Sequence, residues 1–440
     1  MNHVQTLILG GGMSGLSCAY HLKRDYKLFE RSDEPGGLSR SIKQDGFIYD
    51  HTGHLLHLRN PYTLKLIPEL LGDNLVTNHR RAWIYSHNTY TPYPYQANLG
   101  GLPKQVIRDC IMGLVDAQLA ASEASTGLPA QGQAAPESMK SWVLRTFGKG
   151  FAKHFFFPYN EKLWTVPPDV LTAEWVAPFV PRPAISDVIE GILSDPTKDY
   201  GYNATFLYPK RGGIQSLAFA MAKGLPELHM NSEIASVDLD KREVRLKDGQ
   251  SYTYRHLVTT LPLVKFLRMV TSLPSEIQAD LDKLRWSSVY NINLGVKRPQ
   301  ISDKHWIYFP EKKYAFYRVG FPMNFAPNMT PPGCSSMYIE IAHQPDAPPD
   351  PKKAMAAALK GLKDSGLVTD PRDVISTCIL KIPVAYVTYD KHRTACTRRI
   401  LSFLEDQKVY SIGRFGGWKY SYMEEAILEG QQTAEKILER

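Results

Sequence analysis

The sequence predicts an α/β protein in which a Rossmann-like nucleotide domain, discontinuous along the chain, carries a mainly helical segment and an antiparallel sheet. Three observations predict it. Residues 4–30, VQTLILGGGMSGLSCAYHLKRDYKLFE, read apolar strand, glycine turn, helix, second strand and terminal acid. Strand and helix patterns return in NATFLYPKRGGIQSL (203–217), in the strand ending at Thr260, and from Val409 to the end. Between them, residues 286–344 alternate apolar and polar side chains in several short runs, the period of half-buried antiparallel strands. The expected division is 1–75 with 205–265 and 390–440 for the nucleotide domain, 76–204 for the helical part and 266–389 for the sheet.

In the opening unit Gly10, Gly12 and Gly15 form a G-x-G-x-x-G, and Glu30 follows Gly10 by twenty residues. The first glycine permits the tight turn, the second lets backbone approach a pyrophosphate, and the third lets helix pack on strand. Phosphates would face the amide-rich end of the helix, beside Ser14, and Glu30 can accept from a ribose hydroxyl. After Glu30-Arg31 comes a second turn, Gly36-Gly37-Leu38-Ser39. An acid-ended strand followed by paired glycines resembles the extended FAD motif (GR2 type) of flavoprotein oxidases and mutases. FAD is therefore the expected cofactor, with Arg31, Gly37, Leu38 and Ser39 among its contacts and Val237 joining them from a later strand. Gly53 and His54 follow the short strand Phe47–Asp50, and a compact turn carrying His is a natural lining for a flavin face. The turn Gly413-Arg414-Phe415-Gly416-Gly417 opens the last helix and can point amides at the flavin ring.

Elsewhere the chain reads as helix at 61–71 and 104–120, and as a flexible surface loop at 121–137. An aromatic stretch, FAKHFFFPYNEKLWTV, is broken by a polar Asn160-Glu161-Lys162 insert and reads as core or as pocket wall. The net charge is +8, with the basic residues dispersed rather than in a run, which argues against nucleic acid. Five cysteines form no C-x-x-C, and Cys18 reads as core, a usage that fits a reducing cytoplasm. No cluster has metal-ligand spacing, and no stretch approaches the length of a membrane span.

Several segments, in order along nearly the whole chain, resemble the UDP-galactopyranose mutase family, the eukaryotic type in particular, within the amine oxidase and protoporphyrinogen oxidase superfamily. They are GGLSRSIKQDGFIYDHTGHLLHL, TPYPYQANLGGLPKQ, FFPYNEKLWTVP, NATFLYPKRGGIQSL, HWIYFPEKKYAFYRV and IGRFGGWKY. The resemblance implies a nucleotide-sugar substrate and a pyranose–furanose interconversion. Reduced flavin N5 would attack the anomeric carbon as the nucleoside diphosphate leaves. It also implies that the reduced flavin is the active form, with NADPH or NADH as reductant. Under it, Arg318 binds the diphosphate, Tyr386 and Tyr420 donate to the same phosphates, and Tyr308 lies near sugar and phosphate. His54 packs at the flavin, and Arg414 contacts FAD. Tyr95, Gln96 and Trp142 match part of a uridine pocket, with Tyr159 and Asn160 of P-Y-N beside them. The family's second clamp arginine, just before P-Y-N, is Phe157 here, and a family asparagine aligns with Ala184. Losing a charge-assisted contact to diphosphate costs on the order of 1.5–3 kcal/mol. Arg182 and Lys162 are the candidate replacements. The alternative reading is an FAD-dependent oxidoreductase of the amine oxidase or protoporphyrinogen oxidase type, with Trp418 and Tyr420 as an aromatic pair at the flavin. A homo-oligomer stays open.

Overall fold

The computed structural model describes residues 2–124, 136–176, 180–194 and 204–439. Most of the loop expected over 121–137 lies outside the described residues. The first strand, β1 (Asn2–Leu9), leads through the glycine turn into α1 (Met13–Leu22) and then β2 (Tyr26–Phe29). The carboxyl-terminal residues of both strands, Leu7–Leu9 and Leu28–Phe29, are apolar on both faces, as buried parallel strands are. Leu7 and Leu9 of β1 and Phe29 of β2 pack into one core. Ile8 and Leu28 pack into another, on the α1 side.

β1 runs parallel to β2 on one side and to Ser251–Thr259 on the other. Leu228–His229 extends the sheet beyond β2. The far edge of Ser251–Thr259 is shared: its start pairs with the hairpin strand Glu243–Leu246, and its end pairs in parallel with Val409–Ser411 from the end of the chain. The expected discontinuous α/β domain is thus present. The last helix, Met423–Leu438, lies along α1, where Ser17 Oγ donates to the Ile427 carbonyl at 2.6 Å.

The second sheet runs Val374–Val387, Trp286–Val296, Ser335–His343, Arg318–Gly320, Trp306–Tyr308, Ala82–Ser86, Thr89–Pro92. It is antiparallel except where Ala82–Ser86 meets Trp306–Tyr308 in parallel, so residues 82–92 of the 76–204 segment extend it. In Trp286–Val296 the side chains of Ile292, Leu294 and Val296 join the core under helix Pro351–Asp364. The alternate residue Asn291 points the other way, and its Nδ2 donates to the Asp50 carbonyl at 2.9 Å. That bond ties the sheet to the small hairpin Ser41–Gln44/Phe47–Asp50. The helical part packs Lys104–Ala124 against Met139–Phe151, followed by Phe157–Trp164. No described helix is long and apolar enough to cross a membrane.

The two sheets meet at the carboxyl ends of β1, β2 and Ser251–Thr259, where open α/β sheets leave a crevice. Helix α1 is held there by its closest contact with the strand turn: a Cβ at Gly15 would stand 2.0 Å from the Gly10 carbonyl oxygen. Gly15→Ala is therefore expected to lower the unfolding free energy by about 1–3 kcal/mol, the usual cost of overpacking. Urea denaturation beside the wild type measures it.

Candidate active site

The crevice is a cavity of about 560 Å³. At one end Gly10, Gly12, Ser14, Glu30 and Arg31 line it. Gly12 caps α1 without a side-chain hydrogen bond, so the first-turn amides are left for a ligand. A Cβ on Gly12 would meet nothing within 4 Å, which places this turn against open cavity. Glu30 is buried at the end of β2, and its carboxylate accepts from Gly11 N at 2.7 Å and Ser32 N at 2.9 Å. Gly37, Leu38 and Ser39 continue the wall. Gly15 and Val237 stand behind it. The backbone N–H and C=O of Val237 are paired with Met269 O and Thr271 N, both at 2.9 Å.

In the middle of the cavity lies the turn His51–His54. Thr52 holds φ +67°, rare for a β-branched residue. His54 is neutral at pH 7: burial first, then His51 and Arg414, lowers its pKa to about 3. Its Nδ1 is buried with no hydrogen-bond partner among the described residues. The root of the turn is Asp50, 2% exposed. Its carboxylate accepts from Ser41 Oγ at 2.6 Å, Tyr208 OH at 2.5 Å and Ile214 N at 3.4 Å.

Beyond the turn, strand Arg318–Gly320 brings Arg318 to the wall. Its Nε and Nη2 donate to the two oxygens of Glu340 at 2.9 and 2.7 Å. Glu340 is fully buried. Burial works against the Arg318 charge, yet Glu340 and Tyr386 hold its pKa well above the usual value. Tyr308, Tyr386 and Tyr420 line the same end. Burial raises the pKa of Tyr308 and Tyr386, so both stay protonated and able to donate. Arg414 joins these tyrosines to the start of α1, since a Cβ on its neighbour Gly413 would stand 2.4 Å from Ser14 Oγ. Its Nη1 donates to Ser421 O at 2.6 Å and its Nη2 to Ala385 O at 3.2 Å, and its guanidinium lies 5.3 Å from the Tyr386 ring centre and 4.9 Å from that of Tyr420. Gly413 and Gly53 line the cavity as well.

Tyr95, Gln96, Trp142, Tyr159 and Asn160 do not line this cavity. Tyr95 is fully buried and stacks on Phe155 at 4.9 Å. Gln96 donates to Pro181 O at 2.8 Å. Asn160 bridges Phe156 O and Trp164 Nε1 within its own helix. Tyr159 meets Tyr308 edge-on at 5.5 Å, one layer behind the wall. The two candidate replacements for the clamp arginine are engaged elsewhere. Lys162 donates to Phe309 O at 2.6 Å and Glu311 O at 3.1 Å, with burial lowering its pKa to about 7. Arg182 sits exposed over the Trp142 ring at 5.3 Å. A cation not singled out from sequence, Lys381, does line the cavity. Glu340, Tyr338 and Asp50 are also missed. All three sit in ordinary strand patterns, and only their cross-strand partners mark them.

With this geometry in place, the comparisons define the class. The chain belongs to the flavin-containing amine oxidoreductase family, whose model matches residues 13–438. A crystal structure of reduced UDP-galactopyranose mutase superposes with a TM-score of 0.91 and 28% identity, over 99% of this chain and 96% of that one. Cyclohexylamine oxidase from Brevibacterium oxydans IH-35A shares the fold at a TM-score of 0.69 and 16% identity, over the full length of both chains. Coproporphyrinogen III oxidase from Bacillus subtilis (strain 168) is 21% identical over 324 residues, 68% of each chain. The residues present fit FAD: an uncapped helix start at one end of the cavity, a buried unpartnered imidazole nitrogen in the middle, and room for a large ligand.

Two outcomes follow from the buried acids. Burial outweighs three donated hydrogen bonds and pushes Asp50 from 3.8 up to about 6. A carboxyl raised in the folded state binds its proton more tightly there than in the unfolded chain. Its stabilising contribution is full below about pH 4 and is lost as pH rises through 6, by up to about 3 kcal/mol. The stability difference between wild type and Asp50→Asn should therefore shrink or reverse from pH 4 to 7, read by denaturation across that range. Glu340→Ala leaves the Arg318 charge buried and unpaired, and a loss of about 3–5 kcal/mol in unfolding free energy is expected.

Proposed function

We propose that this protein is a flavin-dependent mutase that interconverts the pyranose and furanose forms of a nucleotide-linked sugar. One observation carries the reading: the cavity that starts at the dinucleotide turn ends at a charged guanidinium and protonated phenols, a set suited to an anionic leaving group. The 28% identity to UDP-galactopyranose mutase, across nearly all of both chains, supports it. When bound in its reduced form, FAD would supply an electron-rich nitrogen as nucleophile, with NADPH or NADH as reductant.

The chain's own residues would do the rest. Gly10, Gly12 and the first turn of α1 hold the cofactor pyrophosphate, and Glu30 takes a ribose hydroxyl. Arg318 keeps two donors on Glu340, and its remaining N–H groups bind the substrate diphosphate. Tyr386 and Tyr420 donate to the same phosphates, which stabilises the leaving group as charge builds on it. His54, uncharged, offers one hydrogen bond through Nδ1 beside the reacting centre without adding charge there. Phe157 is half-buried and brings no second cation.

The coproporphyrinogen oxidase relatives favour a second reading, hydride removal from an organic substrate in the same cavity. The two separate cleanly in one experiment. Protein reduced with dithionite or NADPH is offered UDP-, GDP- and dTDP-hexoses, and oxidised protein is offered amines and porphyrinogens without oxygen. A furanose product formed only by reduced protein is expected. Bleaching of oxidised flavin by an amine or porphyrinogen, with no sugar turnover, replaces the mutase with the oxidoreductase. Within the mutase reading, Tyr386→Phe should weaken nucleoside diphosphate binding by about 1.5–3 kcal/mol, tenfold or more. Titration followed by flavin absorbance measures it.

A further inference from the structure

We propose that Tyr338 is a positioning residue that holds the His54 turn and Arg318 in fixed relation across the cavity, an inference that rests on the flavin reading above. Strand Arg318–Gly320 pairs with Ser335–His343 in a register that sets Arg318 opposite Glu340 and Gly320 opposite Tyr338. Residues 338 and 340 are two apart and share one face of the strand. That face carries both the carboxylate that grips Arg318 and a phenol ring that is 1% exposed. The ring crosses Gly320 and reaches the turn that bears His54. A Cβ on Gly320 would stand 2.0 Å from the ring carbon Cζ, and a Cβ on Gly53 would stand 2.4 Å from the hydroxyl oxygen. Tyr338 therefore stands in contact with both strand and turn, and it lines the cavity itself.

The turn needs such a support. Thr52 sits at φ +67°, a conformation that persists in a β-branched residue only where its surroundings impose it. Asp50 fixes the near side through Ser41, Tyr208 and Ile214. Tyr338 fixes the far side at Gly53. The hydrogen bond of the His54 ring is to the backbone of His51, within the same turn, so its place against the flavin follows the turn. Removing the phenol ring opens space into which the turn relaxes, and His54 moves with it.

The test compares wild type, Tyr338→Phe and Tyr338→Leu, each purified with FAD bound. The readouts are the visible flavin spectrum, visible circular dichroism, the flavin midpoint potential and thermal unfolding. Tyr338→Phe keeps the ring and should reproduce the wild-type spectrum and potential. Tyr338→Leu should still bind FAD and unfold cooperatively, with a shifted flavin band and a shifted potential. A Leu variant with wild-type spectrum and potential overturns the proposal. Should that variant not fold, Gly320→Ala, which wedges the ring toward the turn, decides by the same two results. Wild-type protein that takes up no FAD overturns the functional reading, and this inference with it. That outcome is distinct from a Leu variant that binds FAD unchanged.

Discussion

A guanidinium at the cavity wall and a fully buried carboxylate behind it form the constraint on which the site depends. Arg318 and Glu340 meet in a two-pronged contact inside the second sheet. Taking two charges out of water costs several kcal/mol for each ion, and only close, bidentate geometry offsets it. The contact therefore tolerates little slippage of the strands that carry it. Because the two residues are cross-strand partners, the register that satisfies the charges also sets Gly320 against Tyr338. Electrostatics, strand register and the shape of the cavity wall are thus one constraint.

The other wall depends on how the chain returns to its own beginning. Val409–Ser411 adds to the strand that neighbours β1, and Arg414 follows at once. Its hydrogen bonds to Ala385 and Ser421 join the terminal turn to the strand that carries Tyr386. Arg414, Tyr386 and Tyr420 are brought together although they come from separate stretches of chain. The acids Glu425 and Glu429 hold Lys419 in the same turn. A cavity built this way has one wall at the glycine turn, made largely from contiguous sequence, and another assembled from separate stretches of chain.

The cofactor end was legible for that reason. Gly10, Gly12 and Gly15 shape the turn through backbone geometry, Glu30 holds it through its carboxylate on Gly11 N, and all four lie within about twenty residues, so local pattern suffices to place them. The strands were legible too, because alternation reports burial directly. The far end was legible in part. Arg318, Tyr308, Tyr386, Tyr420 and His54 do line one cavity. Tyr95, Gln96, Trp142 and Asn160 sit instead among the side chains of the helical part, where Gln96 and Asn160 turn their amides to protein partners. Nothing in a motif distinguishes an aromatic residue that faces a ligand from one that faces its neighbour. Glu340 and Tyr338 were invisible because an acid or a tyrosine in a strand carries no mark of what lies across from it.

The amino-acid order by itself determined the nucleotide-binding unit, the discontinuous α/β plan and the residue types of the site, since each follows from short-range periodicity and turn chemistry. Tertiary structure alone decided which cations reach the cavity, that Lys162 is spent on the carbonyls of Phe309 and Glu311, and that His54 is uncharged. Those outcomes depend on desolvation and on contacts between residues well separated along the chain, 147 and 149 positions for Lys162, and neither quantity exists until the chain has closed on itself.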